Sequence, residues 1–233
     1  MLDFLGIGAQ KAGTTWLYER LSQHPAVRFP AGKEIHFWDM FMARGLPWYQ
    51  NLFADHTAGL VQGEITPAYA ILPPTTIRQI AGQFPAVRLF YLIRNPVDRA
   101  WSAALMALGR AELRLEEASD QWFIDHFRSQ SSRQRGDYAR CLRHWLACYP
   151  SEQLLVLRYD QIRQNPRLLL HRVCEHLGID ADFYAALPDA SLQRKVFAGP
   201  GHPLRPSLRP VLEDLYASPL AELRSLLNEP LHW

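Results

Sequence analysis

Cysteine is scarce in this chain, three residues in 233, and the three make no disulfide framework. Cys141 and Cys148 fall on one expected helix, where seven residues rise about 10.5 Å, too far for a bridge. An odd count without a secretion signal leads to the expectation of a reducing, cytoplasmic setting. The opening "MLDFLGIG" has no cationic stretch followed by a sustained apolar one, and no apolar run reaches the length of a membrane span. Neither sign of charge dominates: 25 Lys+Arg against 23 Asp+Glu leave a formal net charge of +2, which argues against a nucleic-acid-coating role. The nine histidines are scattered, with no H-x-x-x-H or paired-cysteine spacing, so no metal centre is expected. Internal repeats and low-complexity linkers are missing as well. One domain over residues 1–233 is the expectation for this length.

Short apolar runs alternate with helical patterns. Residues 2–8, 59–65, 87–93 and 153–159 read as strands, three of them near-continuous hydrophobics, as a parallel sheet buried on both faces requires. Helical spacing covers 14–24, 74–84, 96–108, 115–127, 137–149 and 166–178, several of these opening on Pro or Asp and stopping at Gly or Pro. The alternation predicts an α/β fold, a doubly wound parallel sheet with ligands at the carboxyl ends of its strands. Residues 196–210, dense in Pro and Gly, read as a surface loop. Seven Trp and nine Tyr suggest aromatic cleft walls. Trp48, Tyr49, Tyr69 and Tyr138 are candidates, with core packing the alternative for at least half of them.

The stretch "FLGIGAQKAGTTWLYERLSQHP", Phe4 to Pro25, is strand, glycine turn and helix start. It is P-loop-like, yet its lysine is out of place. A triphosphatase loop has lysine directly after the second glycine. Here Thr14 follows Gly13, and Lys11 lies inside the loop. Backbone N–H groups of Gly13, Thr14 and Thr15 at a helix start still make an anion site, with Lys11 beside it. Triphosphatases hold Mg²⁺ partly through an acid ending a second hydrophobic strand. The run "VRLFYLI" ends instead in "RNP", placing Arg94 there, and Asp160 is a poorer candidate. An arginine favours a second anionic group and no metal, shared with Ser102 of "RNPVDRAWS". Arg99 reads as a helix-surface ion pair.

"QKAGTTW" and "RNPVDRAWS" resemble the two cofactor motifs of sulfotransferases that use 3′-phosphoadenosine-5′-phosphosulfate (PAPS). More narrowly the chain resembles carbohydrate sulfotransferases of the heparan sulfate N- and 3-O-type, through "KEIHFWD", "GLPWYQNLF", "GEITPAYA", "DYARCLRHWL" and the terminal "LHW". The resemblance implies that Lys11, Ala12, Gly13, Thr14 and Thr15 bind the 5′-phosphosulfate. Arg94 and Ser102 would bind the 3′-phosphate. Trp16 would lie near the adenine, or else be a buried helix tryptophan. Gly201 and His202 match the family's C-terminal cofactor loop, and 3′-phosphoadenosine-5′-phosphate (PAP) would be the product. A sulfuryl group carries less charge than a γ-phosphoryl, so a lysine at the bridging oxygen can serve where a metal otherwise would. In "GKEIHFWD" the i, i+2 spacing of an extended segment points Glu34 and His36 to one side. The resemblance makes Glu34 the general base and His36 a positioning neighbour, with histidine as base the alternative.

Two departures stand out. Ile65 replaces the lysine that the 3-O-type enzymes carry before Thr-Pro, and the loop "AGPGHP" lacks the family's two basic residues, which Lys195 or Arg205 would have to replace. The first departure counts against a heparan-like acceptor; the resemblance implies a saccharide or a small molecule such as a polyketide. An ATP-dependent small-molecule kinase and a catalytically silent nucleotide-binding module stand as alternative readings.

Overall fold

The apolar runs become one parallel sheet. β1 (Phe4–Gly8), β2 (Val27–Arg28), β3 (Val61–Ile65), β4 (Arg88–Ile93) and β5 (Leu154–Arg158) lie in the order β2-β3-β1-β4-β5, flanked by helices. The α/β parallel-sheet expectation holds, with each expected strand trimmed by one or two residues at an end. β1, at the centre, is buried along its whole length. Glycine lets it close on β3: a Cβ at Gly63 would stand 2.2 Å from the Phe4 carbonyl oxygen. The computed structural model describes all residues except 56, 195, 197–200, 229, 230 and 232.

The chain gathers into two compact units, Met1–Ile93 with His144–Phe197, and Arg94–Arg143 with Ala198–Trp233. The first holds the sheet. From β1 the chain moves out through the helix Thr14–Leu21 to β2, returns through β3, and places β4 on the other side of β1. That reversal makes the carboxyl ends of β1 and β4 the switch point of the sheet, the place where open α/β sheets take their ligands. There the Ala9 N–H donates to the Leu92 carbonyl at 2.7 Å, fixing the loop after β1 against β4.

The second unit is helical. Its core joins Val97, Trp101, Leu105 and Leu108 of the helix Pro96–Arg110 to Phe123, Phe127, Leu212 and Tyr216. Asn95 starts that helix, its side-chain oxygen accepting from the Val97 N–H at 2.9 Å just before Pro96. Such a cap contributes about 1 kcal/mol. Arg99 corrects the sequence reading. It is wholly buried, not a surface ion pair, and its Nη2 donates to the Ser132 carbonyl (3.0 Å) and the Tyr216 hydroxyl (3.1 Å). Among the described residues it has no carboxylate partner.

Other differences are local. The expected helix at 115–127 breaks into a 3₁₀ turn (Leu115–Glu117) and a helix (Asp120–Arg128), because the Ser119 hydroxyl caps the second piece through the Trp122 N–H. The helix Tyr138–Leu146 ends before Cys148, and none of the three cysteines forms a disulfide. Of the loop expected over 196–210, residues 197–200 lie outside the described residues and 201–205 have no regular structure, while a 3₁₀ turn at Pro206–Leu208 leads into the helix Arg209–Leu227.

Candidate active site

At the end of β1 the loop turns into the helix Thr14–Leu21 through Gly13, whose φ of 92° is left-handed. A Cβ there would come within 2.5 Å of Ile162 Cδ1 and 3.0 Å of Tyr159 Cδ2. Only glycine meets both demands. No side chain caps this helix start and its first turn holds no acid. Its leading N–H groups, those of Thr14 and Thr15 included, therefore have no intrahelical acceptor and favour an anion. Ala12 is buried, and Lys11 is half-buried with a φ of 69°. Trp16 is buried, and its indole N–H donates to the Leu192 carbonyl at 2.7 Å. Arg20 reaches the neighbouring Ser191 carbonyl, also at 2.7 Å, so residues 191–192 anchor the helix behind the loop.

The second cluster is Glu34, His36 and Asp39. His36 Nδ1 stands 2.9 Å from Asp39 Oδ2, and its Nε2 stands 3.4 Å from Glu34 Oε2. Lys33 Nζ contacts the other Glu34 oxygen. Burial pushes the Glu34 carboxyl up, but Lys33 and then His36 outweigh it, and the group rests below the ordinary carboxylate range. Sequence reasoning put Glu34 and His36 on one side and they do meet, but for a different reason. The segment is not extended. Glu34 (φ 63°) and His36 (φ 56°) both take left-handed backbone, and a π-helical turn, Phe37–Phe41, follows at once. Phe37 and Trp38 are core residues, Phe37 stacking on Tyr49 at 4.6 Å, so the turn is anchored by its aromatics.

In the second unit, Arg94 and Ser102 are both half-buried, Arg94 just ahead of the Asn95 cap and Ser102 on the helix Pro96–Arg110. The Arg94 carbonyl accepts from the Tyr138 hydroxyl at 2.8 Å. Trp101, next to Ser102, donates its indole N–H to the His202 carbonyl at 2.7 Å. This contact brings Gly201, at φ 71°, and His202 to the helix that carries Ser102. Arg205 is no substitute for the missing basic residues. Its guanidinium is spent on Asp120 (2.7 Å), the Leu115 carbonyl (2.6 Å) and the face of Phe123. Lys195 lies outside the described residues.

Of the aromatic cleft candidates, Tyr49, Tyr69 and Tyr138 are buried, and only Trp48 is partly open, under the Arg44 guanidinium at 4.6 Å. Asp160, the poorer metal candidate, is paired with Arg158 at 2.8 Å. The sequence reading gave no place to the surroundings of Glu64, a fully buried carboxylate on β3. The signal was there: an acid inside an apolar strand is costly unless its hydrogen bonds are satisfied.

Residues 2–196 match the family described as "Sulfotransferase domain". Human heparan sulfate glucosamine 3-O-sulfotransferase 3B1 is 33% identical over 189 residues, covering 76% of this chain and 47% of that protein. The chain thus spans about half the length of that curated relative. A crystal structure of a sulfotransferase from Alicyclobacillus acidocaldarius has a TM-score of 0.77 at 25% identity, covering 99% of this chain and 97% of the other. Mouse sulfotransferase SULT7A1, whose structure is complexed with PAP, shares the fold at a TM-score of 0.58 and 16% identity, over 94% of this chain and 85% of its own.

Proposed function

This chain belongs to the sulfotransferase family, and from that premise we propose that it transfers a sulfuryl group from PAPS to a hydroxyl or amine of a saccharide or small-molecule acceptor. The observation that carries this reading is the Glu34–His36–Asp39 group, an ionised carboxylate beside a histidine that a second carboxylate orients, in a chain whose first loop is shaped for an anion. The uncapped helix start, and a turn in which only glycine fits, suit the phosphosulfate end of the donor. Lys11, Ala12, Gly13, Thr14 and Thr15 would hold that end. For Trp16, whose N–H is already spent, only the ring face is left to meet the adenine. Arg94 and Ser102 would hold the 3′-phosphate, with Gly201 and His202 completing the site. When bound, PAPS supplies the sulfuryl group.

The chain's own residues supply the rest. Glu34, ionised through neutral pH, accepts the proton of the attacking hydroxyl or amine. His36, oriented by Asp39, steadies the carboxylate and spreads the charge. Lys11 meets negative charge growing on the leaving phosphate. A kinase reading asks for an acid where the chain has Arg94, and Asp160 is engaged by Arg158. We place the chain in a reducing, cytoplasmic setting, in keeping with three cysteines outside any disulfide. Among the described residues no helix is long and apolar enough to cross a membrane.

Thermal shift with PAP and with ADP tests the donor. At 100 times Kd, a ligand that binds only the folded state adds about 2.7 kcal/mol. PAP is expected to stabilise the chain and ADP to do so far less. Equal shifts would sink the 3′-phosphate assignment. Transfer of radiolabelled sulfuryl from PAPS to heparan oligosaccharides and to small-molecule alcohols then separates an enzyme from a silent binding module.

A further inference from the structure

Glu64 collects three side-chain donors. The Tyr49 hydroxyl (2.6 Å) and the Tyr69 hydroxyl (3.0 Å) donate to Oε1, and the Thr66 hydroxyl (2.6 Å) donates to Oε2. A carboxylate offers about four lone-pair sites, so most of them are filled. Burial holds the carboxyl above its ordinary value, and Thr66, Tyr49, Tyr69 and the nearby Ile35 backbone N–H work against that rise.

The same groups grip the acid–histidine segment from behind. Ile35 stands between Glu34 and His36. Thr66 Oγ1, while donating to Glu64, accepts from the His36 N–H at 3.4 Å, and Tyr69 Oη accepts from the Trp38 N–H at 3.4 Å. The Glu34 N–H donates to the Ile65 carbonyl at 3.1 Å. Left-handed backbone at two non-glycine residues persists only where the surroundings over-determine it, and this network does so.

We propose that Glu64 is a positioning residue, holding Glu34 and His36 in register through Ile35 and Thr66. Its importance for turnover rests on the reading of Glu34 as the base, but its action on Glu34 can be measured without turnover. The His36 contact is part of what keeps the Glu34 carboxyl low, so loosening the segment raises the titration midpoint of Glu34.

The test is a carboxyl ¹³C NMR titration of Glu34 in PAP-saturated protein, with amide exchange at His36 followed in parallel. Glu64→Ala would leave three hydroxyls facing a cavity and risks misfolding, so gentler variants serve. Thr66→Val keeps shape and removes the hydroxyl; Thr66→Ser restores the hydroxyl; Tyr49→Phe removes one donor to Glu64 and touches neither Glu34 nor His36. The expected result is an upward move of the Glu34 midpoint in Thr66→Val and Tyr49→Phe, exchange at the His36 amide about tenfold faster in Thr66→Val, and return of both towards wild type in Thr66→Ser. A Glu34 midpoint unmoved in both Thr66→Val and Tyr49→Phe overturns the proposal. The base reading fails on a separate measurement, a Glu34→Gln variant that still transfers at the wild-type rate.

Discussion

Replacing Gly13 by alanine probes the anion loop at its tightest point, and Gly32→Ala supplies the matching control. Both glycines have positive φ, 92° and 75°, so both variants bear the left-handed strain of an L-residue, about 1–2 kcal/mol. Both also regain about 0.4–1 kcal/mol from a stiffer unfolded chain. Those contributions cancel in the comparison. Crowding does not: a Cβ at Gly32 meets nothing within 4 Å, whereas at Gly13 it overlaps Ile162 Cδ1 at 2.5 Å and Tyr159 Cδ2 at 3.0 Å. Forcing one methyl into such a space costs about 1–3 kcal/mol. For a chain of this size that is about 2–12 °C in Tm. Calorimetry on both variants, with and without PAP, measures the difference. Gly13→Ala is expected to melt below Gly32→Ala by that margin and to lose most of its stabilisation by PAP. Equal melting temperatures would refute the packing argument. A normal PAP shift in Gly13→Ala would refute the role of the loop in holding the donor.

Lys11→Ala is expected to lower kcat about 10²–10³-fold, the loss that follows removal of one preorganised donor, while PAP affinity changes less. If only KM for PAPS rises, Lys11 binds and does not stabilise the leaving phosphate. Glu34→Gln is expected to cost about 10²–10⁴-fold in kcat at unchanged PAP affinity, and His36→Ala less. A dead His36→Ala beside an active Glu34→Gln would make the histidine the base. Because the Glu34 carboxyl is held below the ordinary range, kcat should stay level as pH falls through neutrality and drop only below that range. The same depression makes Glu34 a source of stability above its unfolded pKa, lost as pH falls through the folded one. An acid limb near neutrality would contradict this assignment.

Much of the sheet was legible in the sequence because burial on both faces writes uninterrupted apolar runs, as in "VRLFYLI". β2 was not, since two residues, Val27 and Arg28, carry no periodicity. The helix Arg209–Leu227 was hidden by its own prolines, Pro210 in the first turn and Pro219 inside. The helix Gln130–Gly136 contains one apolar residue, its glycine, and so shows no stripe. At the site, the glycine turn and the capped "RNP" helix were readable because local chemistry dictates them. Arg99 was misread because the sequence does not show the Ser132 and Tyr216 oxygens that accept from it inside the second unit. Glu34 and His36 were paired correctly on an extended-strand argument, whereas their meeting depends on left-handed backbone held by partners some 30 residues away, Ile65 and Thr66.

Ile65 has a consequence for anyone wishing to graft the lysine of the 3-O-type pattern into this chain. Its side chain is fully buried and fills the room that Gly6 leaves: a Cβ on Gly6 would lie 2.6 Å from Ile65 Cγ1. A lysine grafted at this position would begin inside the sheet's packing, its ammonium needing either a route to water or a partner, and a buried cation without one is costly. Swapping the single letter that separates "GEITP" from the 3-O-type pattern is therefore an exchange of core for charge. A practical graft would begin by repacking Gly6 and its neighbours, and only afterwards turn to recognition.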